Sequence, residues 1–574
     1  MIATRFQLRD APPRTVWALE QAGVHPLLAR LFAARGVKAA GELDHALGLL
    51  LPPTGLLGAD VAAGLLADAV GAGGRICVVA DYDCDGATAC AVMLRGLALL
   101  GAAPSQLCYV VPDRRLHGYG LTPAIVDLAL AQSPDVLVTV DNGIASLEGV
   151  AHARACGMAV VITDHHLPAR IGEQTVLPDA DVIVNPNQPA CTFASKNLAG
   201  VGVAFYVLLA LRAELRERGE FGVAEQPRLD ALLDLVALGT VADVVRLDRN
   251  NRCLVMQGLK RIRAGRMQAG VAALFAVAGR DPAKAAASDF GFALGPRLNA
   301  AGRLSDMTLG IECLLTDDPA RAHELATTLD AMNRERRTLE AGMKDDAEAQ
   351  VDRAFALSGE MLPALAVFDA SFHEGVVGII ASRLKDRAHR PSFVFALGQD
   401  GTLKGSGRSI EGFHLRDALD LMSKRHPTLL KRFGGHAMAA GCTIERADFE
   451  TFRAALELVA AEGLGTAGSE RAVASDGPLD KHHFDAATVR IIEAEVWGSA
   501  FEAPVFCDAV EIVSQRLVGE RHLKLAVRVG GVVRDAIWFG RSEPVADRVR
   551  LAWRLGLDAY NGIERVQMIV VAVE

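Results

Sequence analysis

The sequence is short of several things that would mark a chain's class, and each shortage excludes something. Aromatic residues are only 5% of the 574, while half of all residues are hydrophobic and alanine is abundant; this suits helix-rich α/β packing better than an all-β protein. Ten cysteines include no CxxC pair, and Cys77, Cys90, Cys108, Cys156 and Cys253 mostly stand in apolar surroundings, as small core residues of a reducing compartment do. There is no excess of positive charge. The formal net charge of -9 means that attraction to a polyanion has to come from a local basic surface. Residues 1–10 hold no apolar leader core, and no stretch is long, apolar and unbroken enough to span a bilayer. The expectation is a soluble, cytoplasmic protein. No Walker A pattern supports an ATP-driven motor. At this length one ordinary core does not suffice, and three or four domains are expected.

What the sequence does hold is concentrated at the ends of apolar runs. Residues 76–80 form such a run after the Gly-rich stretch 71–74, and read as a strand buried on both faces. The run ends in Asp81, Asp83 and Asp85, followed by a stretch at 87–100 that is apolar almost all round and reads as a buried helix. Three carboxylates therefore sit at the carboxyl end of a strand, in the crevice where open α/β sheets bind ligands. Crowding them is costly unless cations hold them, and hard carboxylate oxygens suit Mg²⁺ or Mn²⁺. Taken alone, the stretch could also be an acidic turn capping a helix.

Two later runs repeat the pattern. Residues 136–140 lead into Asp141-Asn142-Gly143, and residues 159–163 into Asp164-His165-His166. With a strand at 107–111 and helices at 122–131 and 147–156, the alternation implies right-handed βαβ units and a parallel sheet. Three strands then deliver acids and imidazoles to one edge. A strand at 182–184 precedes the turn-rich Asn185-Pro186-Asn187-Gln188-Pro189. Residues 198–212 and 229–241 read as buried helices, the second releasing a lone acid, Asp243, where a fourth metal ligand or a plain surface helix end would stand.

The second half has a different character. Residues 290–304 are punctuated by glycine and proline and read as an irregular loop, whose Arg297, Asn299 and Arg303 suit phosphate contact. Residues 318–356 read as a long exposed helix joining two halves. Strands at 365–368 and 392–395 with a helix at 378–387 form a second α/β segment. The Gly-rich stretches 404–409 and 433–437 place Ser406, Arg408, Ser409, Gly435 and His436 beside glycines, as backbone nests for an anion or as tight turns. After a polar linker at 466–470, five strands at 510–513, 523–529, 532–539, 550–557 and 566–573 suggest a small barrel. Arg516, Arg521, Lys524, Arg528, Arg534 and Arg541 fall among them, suited to a single-strand groove or simply to a solvated face.

In this order, Asp81-Tyr82-Asp83-Cys84-Asp85-Gly86, Asp141-Asn142-Gly143, Asp164-His165-His166 and Val241-Ala242-Asp243 resemble the DHH phosphoesterase superfamily. Residues 295–304, Glu374-Gly375-Val376-Val377-Gly378-Ile379, residues 405–413 and Gly434-Gly435-His436 narrow the resemblance to the RecJ family of bacterial single-strand DNA exonucleases, over nearly the whole chain. The family's Gly-rich form before the final barrel is followed only loosely at residues 497–504.

The resemblance implies an α/β fold with five parts. They are an N-terminal helical segment (1–60), a parallel-sheet DHH catalytic domain (61–316), a connecting long helix (317–357), a DHHA1-type substrate-binding domain (358–465) and an OB-like DNA-binding barrel (466–574). It implies hydrolysis of single-stranded DNA from the 5′ end to 5′-mononucleotides, in recombination and repair, with two Mn²⁺ or Mg²⁺ ions. Asp83, Asp85, Asp141, His165 and Asp243 would be the metal ligands, with Asp81, Asp164 and His166 as further ligands or their hydrogen-bonded supports. The ions, about 3.5 to 4 Å apart, would share Asp141 and lower the pKa of a bridging water. Arg408, Ser406 and His436 would grip a phosphate in a cleft too narrow for a duplex. A monomer is expected, with a single-strand-binding protein and a RecQ-type helicase as partners. The rival readings are a DHH hydrolase of short oligonucleotides or cyclic dinucleotides, a manganese pyrophosphatase, and a non-catalytic scaffold that binds DNA or a helicase. The first lacks reason for the final barrel, the second suits the basic second half poorly, and the third would have lost its carboxylates.

Overall fold

The structure, a computed structural model, describes residues 3–113, 117–172, 174–358, 362–464, 470–519, 521–558 and 564–574. The chain gathers into two compact units: Ala11–Asn333 with Arg490–Ala503, and Met1–Asp10 with Arg334–Val489 and Pro504–Glu574. The polar linker read at 466–470 lies, apart from Glu470, outside the described residues.

The first unit is built on a five-stranded parallel sheet. Ile76–Ala80 lies between Leu107–Val110 on one side and Val136–Val140 on the other, and Ala159–Thr163 and Val182–Val184 follow in turn. The chain thus reverses its direction of travel at Ile76–Ala80, which opens a crevice at the carboxyl ends of that strand and of Val136–Val140. Every residue of these two strands is buried. On one face Cys77, Val79, Leu137 and Ile162 pack with Leu121 and with Ile125 and Val150 from the crossover helices, which form at Pro123–Leu130 and Leu147–Ala155. The Cys84–Leu99 helix is buried along nearly all its length, and the helices Gly200–Glu217 and Leu233–Ala242 pack against it. Apolar residues all round a helix are what such a position requires.

Two elements differ from the sequence reading in this unit. Residues 290–304 are helical, not a loop: a π-helical turn at Phe290–Leu294 runs into an α-helix at Gly295–Leu304. Pro296 occupies the first helical turn, where its missing N–H costs nothing. Gly302 lets the helix approach a neighbour, since a Cβ there would lie 2.0 Å from the Tyr82 carbonyl oxygen. The segment Arg490–Ala503 also packs here, with Trp497 stacked on Phe32 and Phe501 and the Arg252 guanidinium 4.2 Å from the Phe501 ring centroid.

The 40-residue helix Pro319–Ser358 leads into the second unit. There a sheet runs in the order Arg432–Gly435, Ala439–Ile444, Leu403–Arg408, Ser392–Leu397, Leu365–Phe368, parallel only between the last two. The stretch read at 404–409 as an anion nest or a tight turn is therefore, up to Arg408, a regular strand. Its Gly405 and Gly407 lie over Phe395 and Phe393, whose rings occupy the space a side chain would need. The five strands Phe506–Val518, His522–Val529, Val532–Trp538, Arg548–Asp558 and Arg565–Val573 close into the expected barrel. Ala3–Leu8 forms a strand that no local pattern announces, because its partner, Glu470–Ser475, is remote in sequence. Its Phe6 is buried with Val505, Ala552 and Ala572.

Candidate metal centre and substrate contacts

Each acidic side chain at the sheet edge is placed by backbone donors. Asp83 caps the Cys84–Leu99 helix, its Oδ1 accepting the N–H groups of Asp85 and Gly86 at 2.9 and 3.1 Å. Asp85, fully buried, accepts the first two N–H groups of the Gly200–Glu217 helix: Gly200 at 2.6 Å and Val201 at 2.9 Å. The positive end of that helix favours a carboxylate. Glycine is required at 200, because a Cβ there would lie 2.4 Å from the Cβ of Asp141. Asp141 itself leaves its strand with φ +63°, a left-handed conformation that Asp tolerates better than most residues. The Asn142 amide donates to the Val79 and Val140 carbonyls and so ties the two strand ends together. Asp81 accepts the Tyr82 N–H at 2.7 Å.

The Asp164-His165-His166 triplet divides its labour. The buried Asp164 accepts the N–H groups of His165, His166 and Ile144 and the His166 Nδ1 at 2.7 Å. Its carboxylate is committed to protein donors, a support rather than a free ligand. Burial pushes its pKa up, but the bond and charge of His166 together with these donors hold it below the usual range. Burial works against charge on His166 as well, yet Asp164 raises its pKa to about 9. His165 goes the other way: burial, then the charge of His166, lower it to about 4, leaving the neutral imidazole that metal ligation needs. Its Nε2 lies 3.1 Å from Asp141 Oδ1 and 3.6 Å from Asp243 Oδ2. Asp243 stands at the carboxyl end of the Leu233–Ala242 helix.

The residues present fit divalent cations. Asp141 Oδ1 and His165 Nε2 are both buried, face one another, and make no hydrogen bond. Three overlapping sets of donors, Asp141/His165/His166, Asp85/His165/Asp243 and Asp81/Asp83/Asp141, each bring their atoms within 4.8 Å. Asp141 belongs to two of these sets, so its carboxylate can be shared by two neighbouring ion positions. Burial first and mutual repulsion second push Asp85 up to about 7 and raise Asp141 and Asp243 well above the carboxylate range. Such crowding of buried like charges is relieved by cations.

Several residues at the site were not singled out by the sequence reading. Tyr119, 49% exposed, places its hydroxyl 3.2 Å from His166 Nδ1 and 3.3 Å from the Asp141 carbonyl oxygen. The Asn185 and Asn187 amides donate to the His166 and His165 carbonyls. The available signal was their run of amides directly after a strand of the same sheet. Asp248 joins two segments that flank the site. It accepts from the Ser195 hydroxyl at 2.6 Å, the Asn197 amide at 3.2 Å and the Asn251 N–H at 3.0 Å. Ser195 and Asn197 precede the helix that holds Asp85, and Asp248 follows Asp243.

Of the expected substrate contacts, the structure moves two. Arg297 is bound to Asp330 by Nε and Nη2, both at 2.9 Å, and donates to the Ala293 carbonyl, so it braces helices instead of awaiting a phosphate. Ser409 is buried, with its hydroxyl donating to the Phe413 carbonyl at 2.7 Å. Asn299 accepts the Cys84 N–H at 2.7 Å and thereby steadies the acidic turn; Arg303, on the same helix, is half-buried. Ser406 and Arg408 do come together, Arg408 Nη1 being 3.2 Å from Ser406 Oγ. Both lie at the start of the Val377–Ala388 helix, where a side chain on Gly378 would meet them at 2.9 and 3.1 Å. Gly435 and His436 are exposed at the tip of the hairpin formed by Arg432–Gly435 and Ala439–Ile444, Gly435 with φ +133°. On the barrel, Arg528 pairs with Glu511, and Arg534 and Arg541 lie over the Phe484 and Trp538 rings.

A parallel sheet whose adjacent strand ends present paired carboxylates and a DHH triplet defines a phosphoesterase of the DHH class, and family models agree. "DHH family, N-terminal domain" matches residues 75–240, "DHHA1 domain" residues 362–462 and "RecJ OB domain" residues 475–572. The chain is 47% identical to the single-stranded-DNA-specific exonuclease RecJ of Salmonella typhimurium, across 96% of each chain. It superposes on the Mn²⁺ complex of RecJ from Thermus thermophilus with a TM-score of 0.81 at 31% identity, covering 100% of this chain and 79% of that one. The Mg²⁺ complex from the same organism gives 0.76 at 30% identity, with 99% and 78% covered. This chain belongs to the RecJ family.

Proposed function

We infer that this protein is a metal-dependent exonuclease specific for single-stranded DNA, cutting from the 5′ end and releasing 5′-mononucleotides in recombination and repair. The observation that carries the reading is the buried Asp141–His165 pair, 3.1 Å apart and without a hydrogen bond, inside a nest of acids. Asp83, Asp85, Asp141, His165 and Asp243 would hold two Mn²⁺ or Mg²⁺ ions, which would supply an activated water and neutralise charge on the phosphate. Asp81 lies within the same donor set as Asp83 and Asp141. Asp164 fixes the His166 ring through Nδ1 and the His165 and His166 backbones through their N–H groups, which leaves His166 at the mouth of the site as a further ligand or as a donor to a phosphoryl oxygen. Ser406 and Arg408, with the first N–H groups of the Val377–Ala388 helix, form a seat for a further phosphate of the strand, with His436 and Gly435 as additional contacts. Arg303 serves the strand directly and Asn299 through the acidic turn.

Domain roles follow the family: the parallel-sheet part cuts, the second sheet binds phosphate, and the barrel binds the strand. Among the described residues no single helix is long and apolar enough to cross a membrane. The protein works as a cytoplasmic monomer, supplied with strands by a single-strand-binding protein and a RecQ-type helicase. Strands labelled at either end, with Mn²⁺, Mg²⁺ or chelator, test the reading. Mononucleotides released first from the 5′ label, only with metal, are expected; release from the 3′ label first, or cleavage in chelator, refutes it.

A further inference from the structure

Two apolar side chains near Asp243 are thrown into solvent by costly backbone conformations. Phe292 is 84% exposed, the most exposed large apolar side chain among the described residues. It sits in the π-helical turn Phe290–Leu294, a form that crowds an extra residue into a helix and recurs at functional sites. Val244, 68% exposed, follows Asp243 directly and has φ +63°, a conformation that a β-branched residue adopts only under constraint. Both belong to elements that pack together. A Cβ on Gly291 would lie 3.8 Å from Val241, and one on Gly295 would lie 3.2 Å from Ala242 and 3.9 Å from Cys84 Sγ. The π-turn therefore lies against the end of the helix that delivers Asp243 and beside the acidic turn.

We propose that Phe292 and Val244 form an apolar platform on which one nucleobase of the bound strand stacks, next to the metal centre. Every base has a flat π-face, so stacking on a ring holds a single strand without reading its sequence, whereas paired bases in a duplex are already stacked on each other. A phenyl ring this open, on a π-turn packed against the end of the helix that delivers Asp243, has its face available to an occupant. The substrate inferred above supplies one. The proposal thus rests on the single-strand reading, but it can fail while that reading stands.

The test compares wild type with Phe292→Ala on strands carrying one abasic nucleotide at each successive position from the 5′ end. On the unmodified strand Phe292→Ala raises KM about tenfold, in line with the usual contribution of one aromatic–base stack. Phe292→Trp restores it, and turnover of a base-free chromogenic phosphodiester is unchanged. At one abasic position the wild type shows the same rise and Phe292→Ala adds nothing further. Val244→Gly raises the melting temperature by relaxing the backbone, and raises KM on the unmodified strand. The proposal is overturned if Phe292→Ala and abasic losses multiply at every position, if KM does not move, or if the base-free diester is affected equally. Metal-dependent cleavage by the wild type in those cases leaves the exonuclease reading intact.

Discussion

The two five-stranded open sheets among the described residues present functional groups in opposite ways. In the parallel sheet, strands buried on both faces have nowhere to put polar side chains except at their ends, so Asp81, Asp83, Asp85, Asp141 and Asp164 collect at one edge. In the mostly antiparallel second sheet, burial alternates along Leu403–Arg408, and Ser406 and Arg408 project from one face toward the start of a helix. An end-of-strand site concentrates like charge in a low-dielectric place and therefore demands cations. A face-of-sheet site stays half-exposed, with a guanidinium beside a hydroxyl and backbone donors, and suits an anion. The same chain thus separates a site that demands cations from one that suits an anion.

Breaking the metal side should have the largest effect. His165→Ala or Asp141→Ala lowers turnover on single strands by at least roughly a thousandfold while leaving strand binding, read by fluorescence anisotropy, within a few-fold; near-normal turnover of the purified variant refutes the ligand assignment. A milder break acts through support. Asp248→Asn keeps an acceptor for the Asn251 N–H but loses the oxygen that accepts from both Ser195 and Asn197, and should weaken Mn²⁺ binding about 10- to 100-fold by calorimetry, with turnover recovering at high Mn²⁺. An unchanged Mn²⁺ isotherm means that Asp248 serves only the fold.

On the anion side, Arg408→Ala should raise KM for DNA about tenfold and leave turnover of a small phosphodiester unchanged; parallel loss on both substrates places Arg408 in the chemistry instead. The smallest effect sharpens the contrast in charge. Without metal, Asp85 with its pKa near 7 and His166 near 9 bind more protons folded than unfolded. Stability is then greater at lower pH and is lost as pH rises, from about 3.8 to 7 through Asp85 and from about 6.5 to 9 through His166. Melting scans in chelator should fall by a few degrees across the His166 window, and saturating Mn²⁺ should flatten the slope. A chelated protein whose melting temperature rises with pH over this range contradicts the crowded-carboxylate picture.

The centre was legible because its signals are local. An apolar run ending in acids needs only strand periodicity to be placed, and three such runs in βαβ rhythm can share only one sheet edge. The π-turn and helix at 290–304 were not legible, since Gly and Pro signal a break in isolation and are accommodated here only because Pro296 falls in the first turn and Gly302 makes room for the Tyr82 carbonyl. Arg297 carried a charge suited to phosphate, and nothing nearby in sequence revealed that Asp330 takes it. The glycines of 404–409 looked like a nest until the Phe393 and Phe395 rings accounted for them.

Strand and helix periods alone set the parallel sheet, suggested the barrel and put acids and imidazoles at strand ends, because those periods are properties of short segments. Only the folded chain decided which charges are spent on other charges, which glycines make room for a neighbour, and that Ala3–Leu8 pairs with residues far down the chain. Those outcomes depend on contacts between segments distant in sequence, and no local pattern encodes a partner that lies elsewhere.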